Sequence, residues 1–486
     1  MRQIVFFLII FQGTISNSQT VKPVNPIQNY AETIQTFPGV EQAPFSFYVK
    51  NLDNGQIVAN VNGSMSIPAA STMKLVTTAT AIKILGTKHR FKTKIGYTGT
   101  IDSITKTLNG DIVIIGGGDP TLGSKYFTDD GQEDDFMNSW ADSILSYGIE
   151  HINGKVIADG SAYRYLGVPT GWVWGDLGNY YGAGPNGLTI YDNILKLYYN
   201  TEGIGTIAKL ACIKPYIPNL YISSTVTAAK SRRDNAYVFG APYSFDWFVT
   251  GSIPHSREDF IVKAANPDPE LTFAHVFNSI LQHKGISVSF YPETERNLRK
   301  KENYKTEKRT IIFTHLSPKL SRIINLTNQY SVNLFAEHLL CEISHKRSGY
   351  GSTYNGALIA KAYWGKKFNS KPLIMTDGSG LSRSNAVSAE FYINLLSAMK
   401  GSSTFKNSLA IAGKRGTMSS IGRKTSAQGR VIGKSGTMSK MKAYAGYVNT
   451  KTGKKLAYAM IINNYTCPTS KIKSYFQNLM IKMAVY

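Results

Sequence analysis

The sequence predicts an α/β (α+β) fold in which one sheet, flanked by helices, carries a large inserted α/β and β-rich region. Three observations predict it. Strand-like runs stand at both ends of the 486-residue chain with helical segments between them, so the two ends can build one sheet. The stretch 71–85, "STMKLVTTATAIKIL", is apolar on nearly every face, which marks a buried helix. Residues from 92 to about 300 differ in texture, being rich in Gly, Tyr and short β-type runs, as an inserted region would be.

Taken in order, residues 1–18 read as a secretory signal peptide. Arg2 precedes an apolar run from Ile4 to Phe11, too short to span a bilayer, and Ser16 and Ser18 suit a cut after Ser18. No cysteine lies near that cut to carry a lipid anchor, and no later run of 18 apolar residues suggests a membrane span. The expected location is therefore outside the cytoplasm, in the periplasm or an equivalent cell-wall space. Next, "FSFYVKNLDNGQIVANVN" (45–62) holds two strand-like runs around Asp53, Asn54 and Gly55, a hairpin signal. The buried helix starts near Ser71, and Gly86 stops it. Inside the insert, "DIVIIGGGDPTL" (111–122) and "GKVIADGSAY" (154–163) read as strands, and "ELTFAHVFNSILQHKG" (270–285) as a helix. "TIIFTHLS" (310–317) is a strand, and 319–346 is helical with a break near Tyr330. Helices near 353–366 and 388–400 follow. "GRVIGKSGTMS" (429–439), "KAYAGYVNT" and "KLAYAMIINN" close the β-rich end, and 468–484 is a final helix. The expected organisation is one domain in two parts, 19–95 and 306–486, around an insert at 96–305.

Composition excludes several classes. At 42% hydrophobic and 17% charged the chain is neither disordered nor collagen-like. Its formal charge of +23 is high, but the lysines are scattered and the exported chain does not meet nucleic acid. The densest basic run, "LRKKENYKTEKR" (298–309), includes Glu302 and Glu307 and reads as a solvated linker. Cys212, Cys341 and Cys467 fit no zinc spacing and are expected to be independent thiols. His338, Cys341, Glu342 and His345 share a helix face, read as a polar flank beside Phe335, Leu339 and Ile343 rather than a metal site. No metal and no cofactor are expected. "GGGDP" is not followed by Gly-Lys-Ser/Thr, and neither His-Glu-x-x-His nor Gly-x-Ser-x-Gly occurs.

Three short stretches carry chemistry. Ser71 lies three residues ahead of Lys74, and positions i and i+3 of a helix share a face, so the amine can reach the hydroxyl. Serine needs a base to become a nucleophile, and burial lowers the pKa of a lysine until it can serve as one. Taken alone this pattern is common, and a serine at a helix start is usually a cap. Ser331-Val332-Asn333 and Lys434-Ser435-Gly436-Thr437 change its weight. Ser-x-x-Lys, Ser-x-Asn and Lys-Ser/Thr-Gly in that order form the signature of active-site serine penicillin-interacting enzymes. A literal Lys-Thr-Gly also occurs at 451–453. It lies between two strand-like runs and is expected to be a surface hairpin turn, which leaves Lys434 as the motif lysine.

On these motifs the chain resembles the class C low-molecular-mass penicillin-binding proteins, the D-alanyl-D-alanine carboxypeptidase/endopeptidase family. "GGGDPTL" (116–122), "GWVWGDLGNYYGAGPNGL" (171–188), "DGSGLSRSNAVSA" (377–389), "SLAIAGKRGTM" (408–418) and "AGYVNTKTGKKLAYAMIINN" (445–464) look like that family's blocks, as does the long insert between the first two motifs. Val332 stands where the family often has Asp, and Ser435 where Thr is common. The resemblance implies a transpeptidase-like, β-lactamase-like catalytic domain and acyl transfer on peptidoglycan stem peptides ending in D-Ala-D-Ala. It implies Ser71 as nucleophile, Lys74 as base, Ser331 as proton carrier and Asn333 as the group that holds Lys74 and substrate. Lys434, Ser435, Gly436 and Thr437 would bind the terminal carboxylate, with the amides of Ser71 and Thr437 as oxyanion hole. β-Lactams are expected to acylate Ser71. A β-lactamase and a catalytically idle wall-binding protein are the alternatives. Asp377 reads as a turn residue rather than a catalytic acid.

Overall fold

The computed structural model describes residues 25–486; the expected signal segment 1–18 lies outside them. A six-stranded antiparallel sheet is built from both ends of the chain. Its order is Ile57–Val61, Phe45–Asn51, Lys455–Asn463, Met441–Asn449, Val431–Met438, Ala410–Ile411. Phe47 faces Met460 and Tyr48 faces Ala459, so the first strand lies against the last. The hairpin at Asp53 and Gly55 and the turn at 451–453 form as the sequence predicts.

Period-2 alternation gives the sheet two unlike faces. Phe45, Phe47, Tyr444, Tyr458 and Met460 point to one side. There the helices Pro26–Ile34 and Thr469–Val485 cover them through Ile27, Ile472, Phe476 and Leu479. Asn25 caps the first of these helices by accepting from the Ile27 amide at 3.0 Å, and Pro26 opens it without an unpaired donor. The other face carries Ala443, Ala445, Ala457 and Ala459. These small side chains let the helices Lys74–Ile84 and Ala389–Met399 sit close against the strands through Leu75, Val76, Ala79, Leu395 and Leu396. Behind them pack Leu320–Tyr330, Asn333–Ser348 and Thr353–Gly365, which share a core of Ile323, Ile324, Phe335, Leu339 and Ala360.

The chain leaves this body through Lys92–Tyr97 and returns through Thr310–Leu316. These strands pair with each other at the edge of a five-stranded sheet, packed by Asp135–Ser146 and Pro269–His283. A separate β-rich core, formed around Leu195, Leu197, Tyr199, Trp247 and Val262, lies between them in sequence. No helix among the described residues is long and apolar enough to cross a membrane.

Candidate active site

Ser71 sits in a 3-10 turn, Ala70–Met73, that runs into the helix Lys74–Ile84. The turn is entered through Ala70 at φ +46°, a left-handed value that costs a residue with a Cβ about 1–3 kcal/mol. That kink sets the serine at the mouth of a cleft and the lysine beneath it. Lys74 is fully buried and has three partners: Ser71 Oγ at 3.0 Å, Asn333 Oδ1 at 2.6 Å and the carbonyl oxygen of Ser379 at 2.7 Å. Asn333 Nδ2 donates to the Tyr181 carbonyl at 2.9 Å, so the amide's oxygen must be the atom turned to Lys74. Burial is the main cause that pulls the Lys74 pKa down, to about 7, against the raising influence of Asp377 and Glu337. In the neutral state two N–H bonds satisfy Asn333 and Ser379, both of which can only accept. The nitrogen lone pair is then left for the Ser71 O–H.

The second motif is set by a helix break. Leu320–Tyr330 ends at Ser331, which is left-handed at φ 63°, and Val332 is extended before Asn333–Ser348 begins. One residue each side of Val332, the Ser331 hydroxyl and the Asn333 amide reach the cleft from the same corner. The third motif lies on the strand Val431–Met438. Lys434 is fully buried, and its Nζ donates to Ser331 Oγ at 2.8 Å and to the Ser435 carbonyl at 2.7 Å. Burial, and after it the charges of Lys74 and Lys442, press its pKa well below the usual lysine range. Ser435 Oγ donates to Thr417 Oγ1 at 2.8 Å. At Gly436 a Cβ would stand 2.5 Å from the Ala69 carbonyl oxygen and 3.1 Å from the Ser71 nitrogen, so only glycine lets this strand lie along the serine turn. Lys451 lies in the exposed turn and reaches none of this.

All eight motif residues named from the sequence thus gather in one place. Several supporting residues carry no such signal. Glu337 is buried beneath the site and accepts from the amides of Gly378 and Ser379, which fixes the carbonyl that holds Lys74. Burial, with Asp377 nearby, raises its pKa to about 8. Asp377 accepts from Gly380 N, Ser382 N, Asn385 Nδ2 and Trp172 Nε1, a structural knot as expected of a turn residue. Lys442, opposite Thr437 in the ladder, donates to Thr437 Oγ1 at 2.5 Å. His338 is taken up by Gly118 O and Thr189 Oγ1, and Glu342 by His89 and His345. No group of three His, Cys, Asp or Glu among the described residues could hold a metal.

The cleft over Ser71 measures about 740 Å³. Ser331, Asn333 and Thr437 line it. So do residues of 96–305, among them Tyr126, Asp176, Tyr181 and Phe239.

The chain is similar to known proteins over most of its length. The model of the D-Ala-D-Ala carboxypeptidase 3 (S13) family matches residues 27–482. The chain is 26% identical to a D-alanyl-D-alanine carboxypeptidase of Actinomadura, over 89% of this chain and 80% of that protein. It is 24% identical to the D-alanyl-D-alanine carboxypeptidase DacB of Haemophilus influenzae, over 90% and 88%. The crystal structure of penicillin binding protein 4 from Haemophilus influenzae superposes with a TM-score of 0.80 at 23% identity, covering 94% of this chain and all of that one. The fold is therefore the mixed α/β fold of the serine penicillin-binding proteins.

Proposed function

Because the chain belongs to the D-Ala-D-Ala carboxypeptidase 3 (S13) family, we propose that its cleft carries out acyl transfer through Ser71 in the following way. The activity is that of a serine-type D-Ala-D-Ala carboxypeptidase. Ser71 Oγ attacks the carbonyl carbon between the two terminal D-alanines while its proton passes to the neutral Lys74. The amides of Ser71 and Thr437 receive the oxyanion; loss of one such donor typically costs about 10²–10³ in rate. The C–N bond then breaks as Ser331 gives its proton to the leaving amine and takes in its place the one held by Lys74, and the D-alanine departs. Water then loses a proton to the neutral Lys74 as it attacks the ester, the bond to Ser71 Oγ breaks, and Lys74 returns that proton to Ser71 as the shortened peptide leaves. Asn333 holds Lys74 in register and offers its amide to the substrate. Lys434, with Ser435 and Thr437, receives the terminal carboxylate, whose negative charge restores the ammonium form that burial disfavours in the empty site.

The same attack suits D-alanyl cross-links between stem peptides, so a DD-endopeptidase activity is part of the proposal. β-Lactams, which resemble the terminal dipeptide, acylate Ser71. We further place the protein in the periplasm, or an equivalent wall space, after removal of 1–18. We assign 19–95 and 306–486 to the catalytic unit and 96–305 to the insert.

One observation carries this reading: a single buried amine bridges Ser71 Oγ and Asn333 Oδ1. A second buried amine, that of Lys434, holds Ser331 beside it. Labelled penicillin is expected to mark the purified protein covalently, and Ser71→Ala to abolish the mark. Labelling that survives the substitution would remove Ser71 as nucleophile. An adduct lasting hours is expected; one that clears in well under a second would make the protein a β-lactamase.

A further inference from the structure

A third buried lysine stands beside the two that the catalytic scheme uses. Lys442 lies on the strand Met441–Asn449, directly opposite Thr437 in the ladder with Val431–Met438. Its Nζ sits 4.9 Å from the centre of the Tyr444 ring. A buried ammonium is costly unless an anion meets it. None does here, for among the described residues Lys442 makes no salt bridge. Burial, and after it the charge of Lys473 on the helix Thr469–Val485, lowers its pKa to about 8. At pH 7 it is still mostly charged. Tyr444 supplies no counter-charge, since burial raises its own pKa and keeps its hydroxyl protonated. The neighbouring Lys434 adds to the imbalance: burial, then the charges of Lys74 and Lys442, act on it, and no carboxylate does.

The hydrogen-bond partner of Lys442 is Thr437 Oγ1, at 2.5 Å. That bond has a direction. An ammonium can only donate, so it takes a lone pair of the hydroxyl, and the Thr437 hydrogen must point elsewhere. Among the described residues no group accepts it. Ser435, by contrast, already gives its hydrogen to Thr417 Oγ1. Thr437 is exposed and lines the cleft over Ser71. The third motif thus offers the cleft a hydroxyl donor that is polarised from behind by a buried charge, and linked hydrogen bonds strengthen one another. A carboxylate gains far more from such a donor than an amide oxygen does, because it also answers the unbalanced ammonium.

We propose that Lys442 is a positioning residue that turns and polarises the Thr437 hydroxyl, and so sets how strongly the cleft prefers a free carboxylate on the leaving residue over an amidated one. The proposal rests on the acyl-transfer reading for the place of that carboxylate, but it can be tested without turnover. In the Ser71→Ala protein, Kd is measured by ligand-observed NMR for a peptide ending in D-Ala-D-Ala, and for the same peptide with a C-terminal carboxamide. Lys442→Met removes the charge and keeps an unbranched apolar side chain beside Tyr444. It is expected to weaken binding of the free acid about tenfold and to leave the carboxamide unaffected. Lys442→Gln, which also lacks the charge, should show the same selective loss. Thr437→Val alone should cost the free acid a similar factor. Adding Lys442→Met to it should cost little more, since the lysine acts through that hydroxyl. With Ser71 present, Lys442→Met should raise KM for the free acid and leave kcat nearly unchanged. An unchanged Kd for the free acid overturns the proposal. So does an equal loss on both peptides, which would show that the lysine only shapes the strand. A second loss as large as the first in the Thr437→Val background overturns it as well. If penicillin fails to acylate the wild-type protein, the mechanism falls, while the acid-to-amide ratio of Kd still decides the role of Lys442.

Discussion

On the proposed mechanism, Lys74 sets the pH at which the serine can react. Only its neutral amine can take the Ser71 proton, and burial holds its pKa near 7. Acylation by a β-lactam is therefore expected to fall about tenfold per unit as pH drops below 7, and to level off above it. A profile flat from acid to alkaline pH would show that Lys74 is not the base. Lys74→Arg keeps the charge but cannot deprotonate, and a loss of about 10²–10⁴ in acylation rate is expected. Glu337 gives a finer test. Burial raises its own pKa to about 8, so it is largely uncharged where Lys74 titrates, and Glu337→Gln, which keeps an acceptor for the amides of Gly378 and Ser379, should leave the acid limb in place. A limb that moves to lower pH, read from the same rate profile, would mean that Glu337 carries a charge beside Lys74 rather than acting on the backbone of Gly378 and Ser379 alone.

At the scale of elements, the strand Val431–Met438 and the serine turn are held at backbone contact by one missing side chain. Gly436→Ala would drive a methyl group into the Ala69 carbonyl. A displacement of about 1 Å at this seam is expected to lower penicillin acylation by roughly 10². Thermal unfolding should show whether the fold itself is kept, since a loss of rate with an unchanged midpoint belongs to the seam. The alanine face behaves differently. Ala459→Leu faces the helix layer, and overpacking there should destabilise by about 1–3 kcal/mol, read by denaturant unfolding.

The same elements explain what could be read in advance. The hairpin, the buried helix and the terminal strands were legible because apolar periodicity and turn residues declare them. The eight motif residues were legible because serine, lysine and asparagine are chemically distinctive at fixed spacing. The 3-10 turn at Ser71 was not, since an alanine gives no hint that it will adopt positive φ. Nor were the acceptors at Ser379 and Tyr181, because any residue offers a carbonyl. Glu337 reads as one more polar position on a helix until the loop some forty residues later folds over it.

Across the whole molecule, stability rests on buried cores without covalent staples. Cys212 is exposed, Cys467 half-buried and Cys341 buried, and all three are free thiols. Native protein is expected to titrate rapidly at Cys212, slowly at Cys467, and at Cys341 only after unfolding, with no change in thermal midpoint on adding reductant. A midpoint that falls in reductant would reveal a disulfide.

The pairing of the first strand with the last has a temporal meaning. The Lys455 amide donates to Asp53 at 2.9 Å, a residue 402 positions earlier in the chain. While it emerges from the ribosome, the chain can display its serine long before the strand bearing Lys434 has arrived. A prematurely ended polypeptide therefore has a nucleophile but no working enzyme, and hydrolysis switches on only with the final stretch. For a catalyst directed at the polymer that confines its own cell, birth as an inert precursor is written into the order of the strands.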